Sequence, residues 1–207
     1  MKPYLLGIDI GTSACKVAVF EKSGTVVAAA NGDYPVYYPK EGWAEQNPEE
    51  WWSAVCQAVK KAIQKAGIAP EEIAGIGIDG QSWSAIAMDK DGNVLTNTPI
   101  WMDTRAQSIC DRLNEEIGAE QIFEVSGNSL QPSYTTAKIL WYKENMPEVY
   151  EKIDKILQSN SFIAYKLTGV MSQDVSQGYG LHCFDMRRAV WDEDTVSYTH
   201  LTLPTKR

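Results

Sequence analysis

The stretch LLGIDIGTSACKVAVF, residues 5–20, constrains the fold more than any other part of the chain. Two β-rich runs flank the short polar group Gly11-Thr12-Ser13, and the first run ends on the carboxylate of Asp9. A turn of about three residues containing glycine joins paired strands. Residues 4–10 and 14–21 are therefore expected to form a hairpin. Ser23-Gly24 marks a second turn, and TVVAAAN (25–31) reads as a third strand, giving an N-terminal antiparallel meander. The first turn also has the chemistry of an anion site. Gly11 allows close backbone approach, and the N–H groups of Gly11, Thr12 and Ser13 can form an anion-binding concavity. Lys16 adds positive charge. Asp9, at the carboxyl end of a strand, suits a hydrated Mg²⁺, which takes only one or two carboxylates. The same residues also describe a plain hairpin turn in which Asp9 caps its own backbone.

A helix follows an irregular Pro- and Tyr-containing segment. Asn47 reads as its N-cap, Pro48 as its first residue and Glu50 as the other half of a capping box. Trp51, Val55, Ala58, Val59, Ala62 and Ile63 keep helical spacing, so Trp51 and Trp52 read as packing, and Gly67 ends the run. IAGIGID (73–79) reads as a strand buried on both faces and ending on Asp79. SAIAMD (84–89) and VLTNTPIWMD (94–103) continue the β pattern. Residues from about 103 to 157 read as helical with interruptions at Gly118, Gly127, Pro132 and Pro147, the last helix opening at Pro147 and carrying Val149, Ile153 and Ile156-Leu157 on its apolar face. SFIAYKLTG (161–169) reads as a short helix with Asn160 and Ser161 as caps. The order of elements predicts an α/β fold, a mixed sheet with flanking helices.

Charge and cysteines narrow the function classes. The 207 residues carry 19 basic and 27 acidic side chains, a net charge of −8, which opposes nonspecific binding to nucleic acid or anionic membranes. The four cysteines are not in CxxC spacing and only His182 and His200 could join them, so no structural zinc site is expected. Free core thiols fit a cytoplasmic protein, and no apolar run approaches a membrane span. The tail, roughly 195–207, shows no helical period and is expected to be a scar, a read-through or the broken edge of a longer protein.

Further motifs carry a resemblance. MKPYLLGIDIGTSACKVAVFEKSGTVVAAA resembles the opening of the FGGY carbohydrate kinases, which have an actin-like ATPase (ribonuclease H-like) fold. GWAEQNPEEWW (42–52), GQSW within 73–95, PIWMDTRA (99–106), YTTAKILWYKENMPEVYEKIDKIL (134–157), YKLTG (165–169) and QDVSQGYG (173–180) resemble further family segments in order. The resemblance spans residues 4 to about 192 and is strongest to xylulose kinases. It implies that Asp9 meets the metal and that Gly11, Thr12, Ser13 and Lys16 meet ATP phosphate. It also implies that Gln81, Ser82, Trp83, Trp101, Asp103 and Arg105 line a sugar pocket; from the residues themselves, Trp83 offers a flat face to stack on a sugar and Gln81 can bridge hydroxyls. From the residues alone, Asp103 reads first as the cap of a helix starting near Thr104, with Arg105 only pairing with it, rather than as a sugar ligand. Xylulose kinases commonly have Met-His where this chain has Ser82-Trp83, which leaves the sugar open.

The resemblance covers only the family's first domain, here residues 1–194. The catalytic base and most adenine contacts belong to a second, C-terminal kinase domain, so no catalytic residue is assigned in this chain. The implied activity is MgATP-dependent phosphorylation of a ketopentose, D-xylulose before glycerol, gluconate or ribulose, by a longer parent; the fragment alone is expected to be inactive. Implied partners are the sugar and ATP, with a homodimer as the family's usual assembly. A non-catalytic sugar-binding module of the same fold is the competing class. An actin-like or chaperone-type ATPase would share the hairpin turn but has no use for the GQSW and WMDTR clusters.

Overall fold

The computed structural model describes residues 3–193; the 195–207 tail singled out above lies outside the described residues. The elements run β1 (Tyr4–Ile10), β2 (Ala14–Glu21), β3 (Val26–Asp33), β4 (Glu45–Gln46), α1 (Pro48–Ala66), β5 (Ile73–Gly80), β6 (Ile86–Met88) and β7 (Thr98–Pro99). They continue with α2 (Gln107–Leu113), α3 (Ala119–Ser126), α4 (Thr135–Asn145), α5 (Pro147–Tyr150), β8 (Lys155–Leu157), α6 (Ser159–Thr168), β9 (Phe184–Asp185) and β10 (Val190–Trp191).

The main sheet has the order β3-β2-β1-β5. β1, β2 and β3 form the expected antiparallel meander, and β5 joins β1 in parallel with Asp9 opposite Asp79. A parallel return needs a crossover, and α1 supplies it. Alternation along β1 and β2 sends Leu6, Ile8, Ile10, Cys15, Val17 and Val19 into the core. α1 covers that face with Trp51, Ala54, Val55, Ala58 and Ala62. Full burial of the Trp51 ring contributes about 2–3 kcal/mol, offset in part because its indole N–H is buried without a partner.

The start and stop of α1 follow local chemistry. Asn47 Oδ1 accepts from Glu49 N at 3.0 Å, Pro48 is the first residue, and Gly67 takes φ +66°, a conformation that costs a Cβ-bearing residue about 1 kcal/mol. Glu50 does not complete a capping box; its carboxylate accepts the Tyr37 hydroxyl at 2.8 Å.

Three expectations are corrected. β5 is an edge strand rather than one buried on both faces, and Ile76 is 48% exposed. A continuous apolar run shows that a strand can be covered, not that a neighbour covers it. The helix opened by Pro147 stops at Tyr150, and Lys155–Leu157 pairs antiparallel with β6 as β8. Sheet pairing there overrides the helical reading of Ile156-Leu157. Asn160 and Ser161 lie inside α6, whose N-cap is Gln158. A second core, built from α2, α3, α4 and the 181–184 segment, packs Ile109, Leu113, Ile122, Leu140, Tyr142 and Cys183. The candidate site lies along the segments that join the two cores.

Candidate active site

The carboxylate of Asp9 stands at the end of β1, 47% exposed, with Lys16 Nζ at 3.7 Å across the hairpin. An exposed carboxylate with one loose cationic neighbour fits a hydrated Mg²⁺, which needs a single protein oxygen and room for its waters. Gly11 behaves differently from expectation. Its N–H donates to Ala14 O at 3.1 Å, closing the hairpin, so of the three N–H groups expected to bind an anion only those of Thr12 and Ser13 are left for it. Asp79, opposite Asp9, turns one oxygen onto its neighbour Gly80 N at 2.8 Å.

The turn is tied directly to the second cluster of residues. Trp101 Nε1 donates to Thr12 Oγ1 at 3.0 Å. Gln46, fully buried at the end of β4, donates to Thr12 O at 2.7 Å and Pro35 O at 3.1 Å. Gln46 Oε1 in turn accepts Gln81 Nε2 at 2.7 Å. The two carbonyls fix the orientation of the Gln46 amide, and that fixes the orientation of Gln81. Sequence reading placed Gln46 only as part of a segment and missed this relay.

Gln81, Ser82 and Trp83 form the loop between β5 and β6, at the carboxyl end of β5. Ser159 Oγ donates to Gln81 O at 2.6 Å. Trp83 is in the left-handed region, φ +69°, which is strained for a bulky residue. Its N–H donates to Gln158 Oε1 at 2.7 Å and its carbonyl accepts Lys138 Nζ at 2.8 Å. A Cβ on Gly180 would overlap Trp83 Cδ1, so glycine there makes room for the indole.

The indole belongs to an aromatic wall that the sequence did not reveal. Its ring lies 4.5 Å from that of Tyr134 at 70° between planes, and Tyr134 in turn contacts Tyr179 at 5.9 Å and His182 at 5.1 Å. Burial raises the Tyr134 hydroxyl to about 12, the nearby Tyr179 adding to it. Burial lowers His182 to about 4, so it is neutral at physiological pH, with Nε2 near Asn128 Oδ1 at 3.2 Å. The only sequence signals for this wall were Tyr134 beside the helix start and the glycines of GYG.

Asp103 and Arg105, expected to line the sugar pocket, are buried instead. Asp103 is fully buried and accepts from Ala44 N at 2.7 Å, Arg105 N at 3.0 Å and the Arg105 guanidinium at 2.7–3.0 Å. The Arg105 side chain, 2% exposed, also meets Glu45 at 2.8 Å and lies 3.8 Å from the Trp43 ring centre. Burial pulls the guanidinium down, but Asp103 and Glu45 more than offset it and hold its pKa above the usual value. These charges brace the loop that carries Trp101, 43% accessible. Of the predicted residues, Thr12, Gln81 and Trp101 are joined by hydrogen bonds, through Gln46 in the case of Gln81; Ser82 and Trp83 follow Gln81 on its loop, Asp9 and Lys16 pair across the hairpin beside the turn, and Asp103 and Arg105 act from behind. Among the described residues, no group of three or more His, Cys, Asp or Glu could hold a metal ion.

Residues 4–204 match the FGGY family of carbohydrate kinases, N-terminal domain. The chain belongs to this family. It is 31% identical over 191 residues to a xylulose kinase of Bacillus subtilis (strain 168), covering 92% of this chain and 38% of that protein. It is likewise 31% identical over 200 residues to a glycerol kinase of Thermococcus gammatolerans, covering 95% and 40%. The crystal structure of gluconate kinase from Lactobacillus acidophilus superposes with a TM-score of 0.90 at 29% identity, over 96% of this chain and 40% of that one. The FGGY chain therefore has the actin-like ATPase fold expected above, and it spans about 40% of the length of these relatives.

Proposed function

We propose that this FGGY chain forms the sugar-facing and phosphate-facing lobe of a kinase that transfers the γ-phosphoryl group of MgATP to a hydroxyl of a ketopentose, D-xylulose before glycerol, gluconate or ribulose. One observation carries the reading. Trp101 and Gln81, on the polyol side, are hydrogen-bonded into Thr12 of the phosphate turn, one directly and one through Gln46. Phosphoryl transfer depends mainly on aligning acceptor, phosphate and charge, and Thr12 is the point at which the two halves meet.

In this reading the exposed carboxylate of Asp9 holds the hydrated Mg²⁺, whose contribution is to neutralise developing phosphate charge. Thr12 and Ser13 N–H groups face the phosphate, and Lys16 adds charge. Trp83 and Trp101 supply flat apolar surface to the carbon face of the sugar, while Gln81 and Ser82 meet hydroxyls. Deprotonation of the acceptor hydroxyl falls to a base outside this chain, in a C-terminal lobe. Water exclusion needs that lobe as well, so the 207-residue chain alone has negligible turnover.

The test has two parts. Titrating the chain calorimetrically with D-xylulose, ribulose, glycerol and gluconate ranks the sugars; D-xylulose binds tightest, and preference for glycerol or gluconate overturns the substrate assignment. In the longer protein, Asp9→Asn abolishes turnover while sugar affinity changes less than about threefold. Unchanged turnover in that variant would overturn the role of Asp9, and absent turnover in the unaltered longer protein with sugar binding intact would instead identify a sugar-binding module that does not use the phosphate turn.

A further inference from the structure

Lys138 lies within the apolar run TTAKILWY of α4 and is fully exposed to nothing but protein, with no accessible surface. A buried ammonium is costly and is seldom retained for stability alone. It has three N–H donors and no acceptor. All three are taken by main-chain carbonyls: Trp83 O at 2.8 Å, Ile100 O at 2.8 Å and Ser133 O at 2.6 Å. Each carbonyl belongs to a wall residue or to the residue before one, since Ile100 precedes Trp101 and Ser133 precedes Tyr134. The three loops are remote in sequence and share this one nitrogen.

We propose that Lys138 is the positioning residue of the polyol wall, whose ammonium holds the loops bearing Trp83, Trp101 and Tyr134 in a single arrangement. The bond to Trp83 matters most. That residue has left-handed backbone, which persists only where its surroundings over-determine it. Lys138 fixes its carbonyl and Gln158 its N–H. A methionine at 138 would fill similar volume but leave three buried carbonyls without donors. The charges facing the ammonium are Asp103, which favours it, and Arg105, which opposes it. The statement about the loops is independent of the sugar reading; only the consequence for sugar affinity rests on it.

The experiment uses the 207-residue chain, ¹⁵N-labelled at tryptophan, with Trp83→Phe and Trp101→Phe assigning two of the seven indole N–H signals. In Lys138→Met those two signals shift or broaden, while those of Trp51 and Trp52 on α1 stay in place. D-xylulose affinity falls at least tenfold. Unmoved Trp83 and Trp101 signals would overturn the proposal, whereas shifted signals with undiminished D-xylulose affinity would overturn the placing of the sugar against this wall. Should Lys138→Met fail to fold, ¹⁵N-lysine labelling of the unaltered chain decides. It must show a solvent-protected Nζ signal with cross-relaxation to the 83, 100 and 133 segments, and its absence refutes the role. Shifted indoles in a chain that binds no sugar in its unaltered form would sink the sugar assignment and leave the positioning role standing.

Discussion

Replacing Asp103 by alanine separates a bracing carboxylate from a sugar ligand. The side chain is fully buried, so the change removes acceptors from Ala44 N, Arg105 N and the Arg105 guanidinium at once. Arg105 keeps only Glu45 as an ionic partner, at 2.8 Å. The replacement also removes the negative charge that favours the Lys138 ammonium, whose pKa burial has already pushed down to about 7. Breaking a buried pair by deleting one partner costs about 3–5 kcal/mol. For a domain of this size each kcal/mol moves the melting temperature by roughly 2–4 °C, so Tm should fall by roughly 6–20 °C. Urea unfolding, followed by the fluorescence of Trp43 and Trp141 beside Arg105, measures the loss directly. Asp103→Asn, which keeps an acceptor but no charge, should fall between the two. Adding Arg105→Ala to Asp103→Ala should cost about 1–3 kcal/mol less than the sum of the single changes. A loss below about 1 kcal/mol together with abolished D-xylulose binding would refute the bracing role and return Asp103 to the sugar.

Three further outcomes follow from the aromatic wall and its neighbours. Gly180→Ala drives a methyl into Trp83 and should destabilise by about 1–3 kcal/mol, with the near-UV circular dichroism of the Trp83–Tyr134 pair diminished. Trp101→Phe removes one bond to Thr12 from a 43% exposed ring; Tm should move by less than about 3 °C while D-xylulose affinity falls, and calorimetry reads both. His182 is held at about 4 by burial against an ordinary value of 6.5. The unfolded chain therefore binds the extra proton between those values, and stability that is complete above pH 6.5 is lost as pH falls toward 4. The loss amounts to about 3 kcal/mol, and His182→Gln should flatten that limb in urea titrations at stepped pH.

The elements with local signals were legible. Polar turns and alternation define β1, β2 and β3, and Asn47, Pro48 and Gly67 bound α1 without help from the rest of the fold. Features set by a distant partner were not. Lys155–Leu157 is a strand because β6 lies beside it, and three residues after a helix-opening proline carry too little pattern to show it. The motif around residue 103 put Asp103 and Arg105 next to each other, but spacing cannot tell which way a side chain faces. The buried N–H of Ala44, the Glu45 carboxylate and the rings of Trp43 and Trp141, all distant in sequence, draw them inward. Lys138 gave a single visible cue, a charge in the middle of an apolar helix, and its three acceptors come from sites 5, 38 and 55 residues away.

Leaving β5 at the margin of the sheet has a practical side. Among the described residues nothing pairs with its outer flank, and IAGIGIDG offers three glycines, one acid, and neither lysine nor proline along eight positions. Proteins usually guard such a flank with charge, a kink or a covering segment. Among the described residues, that flank leaves main-chain donors and acceptors open to side-by-side pairing with another extended strand.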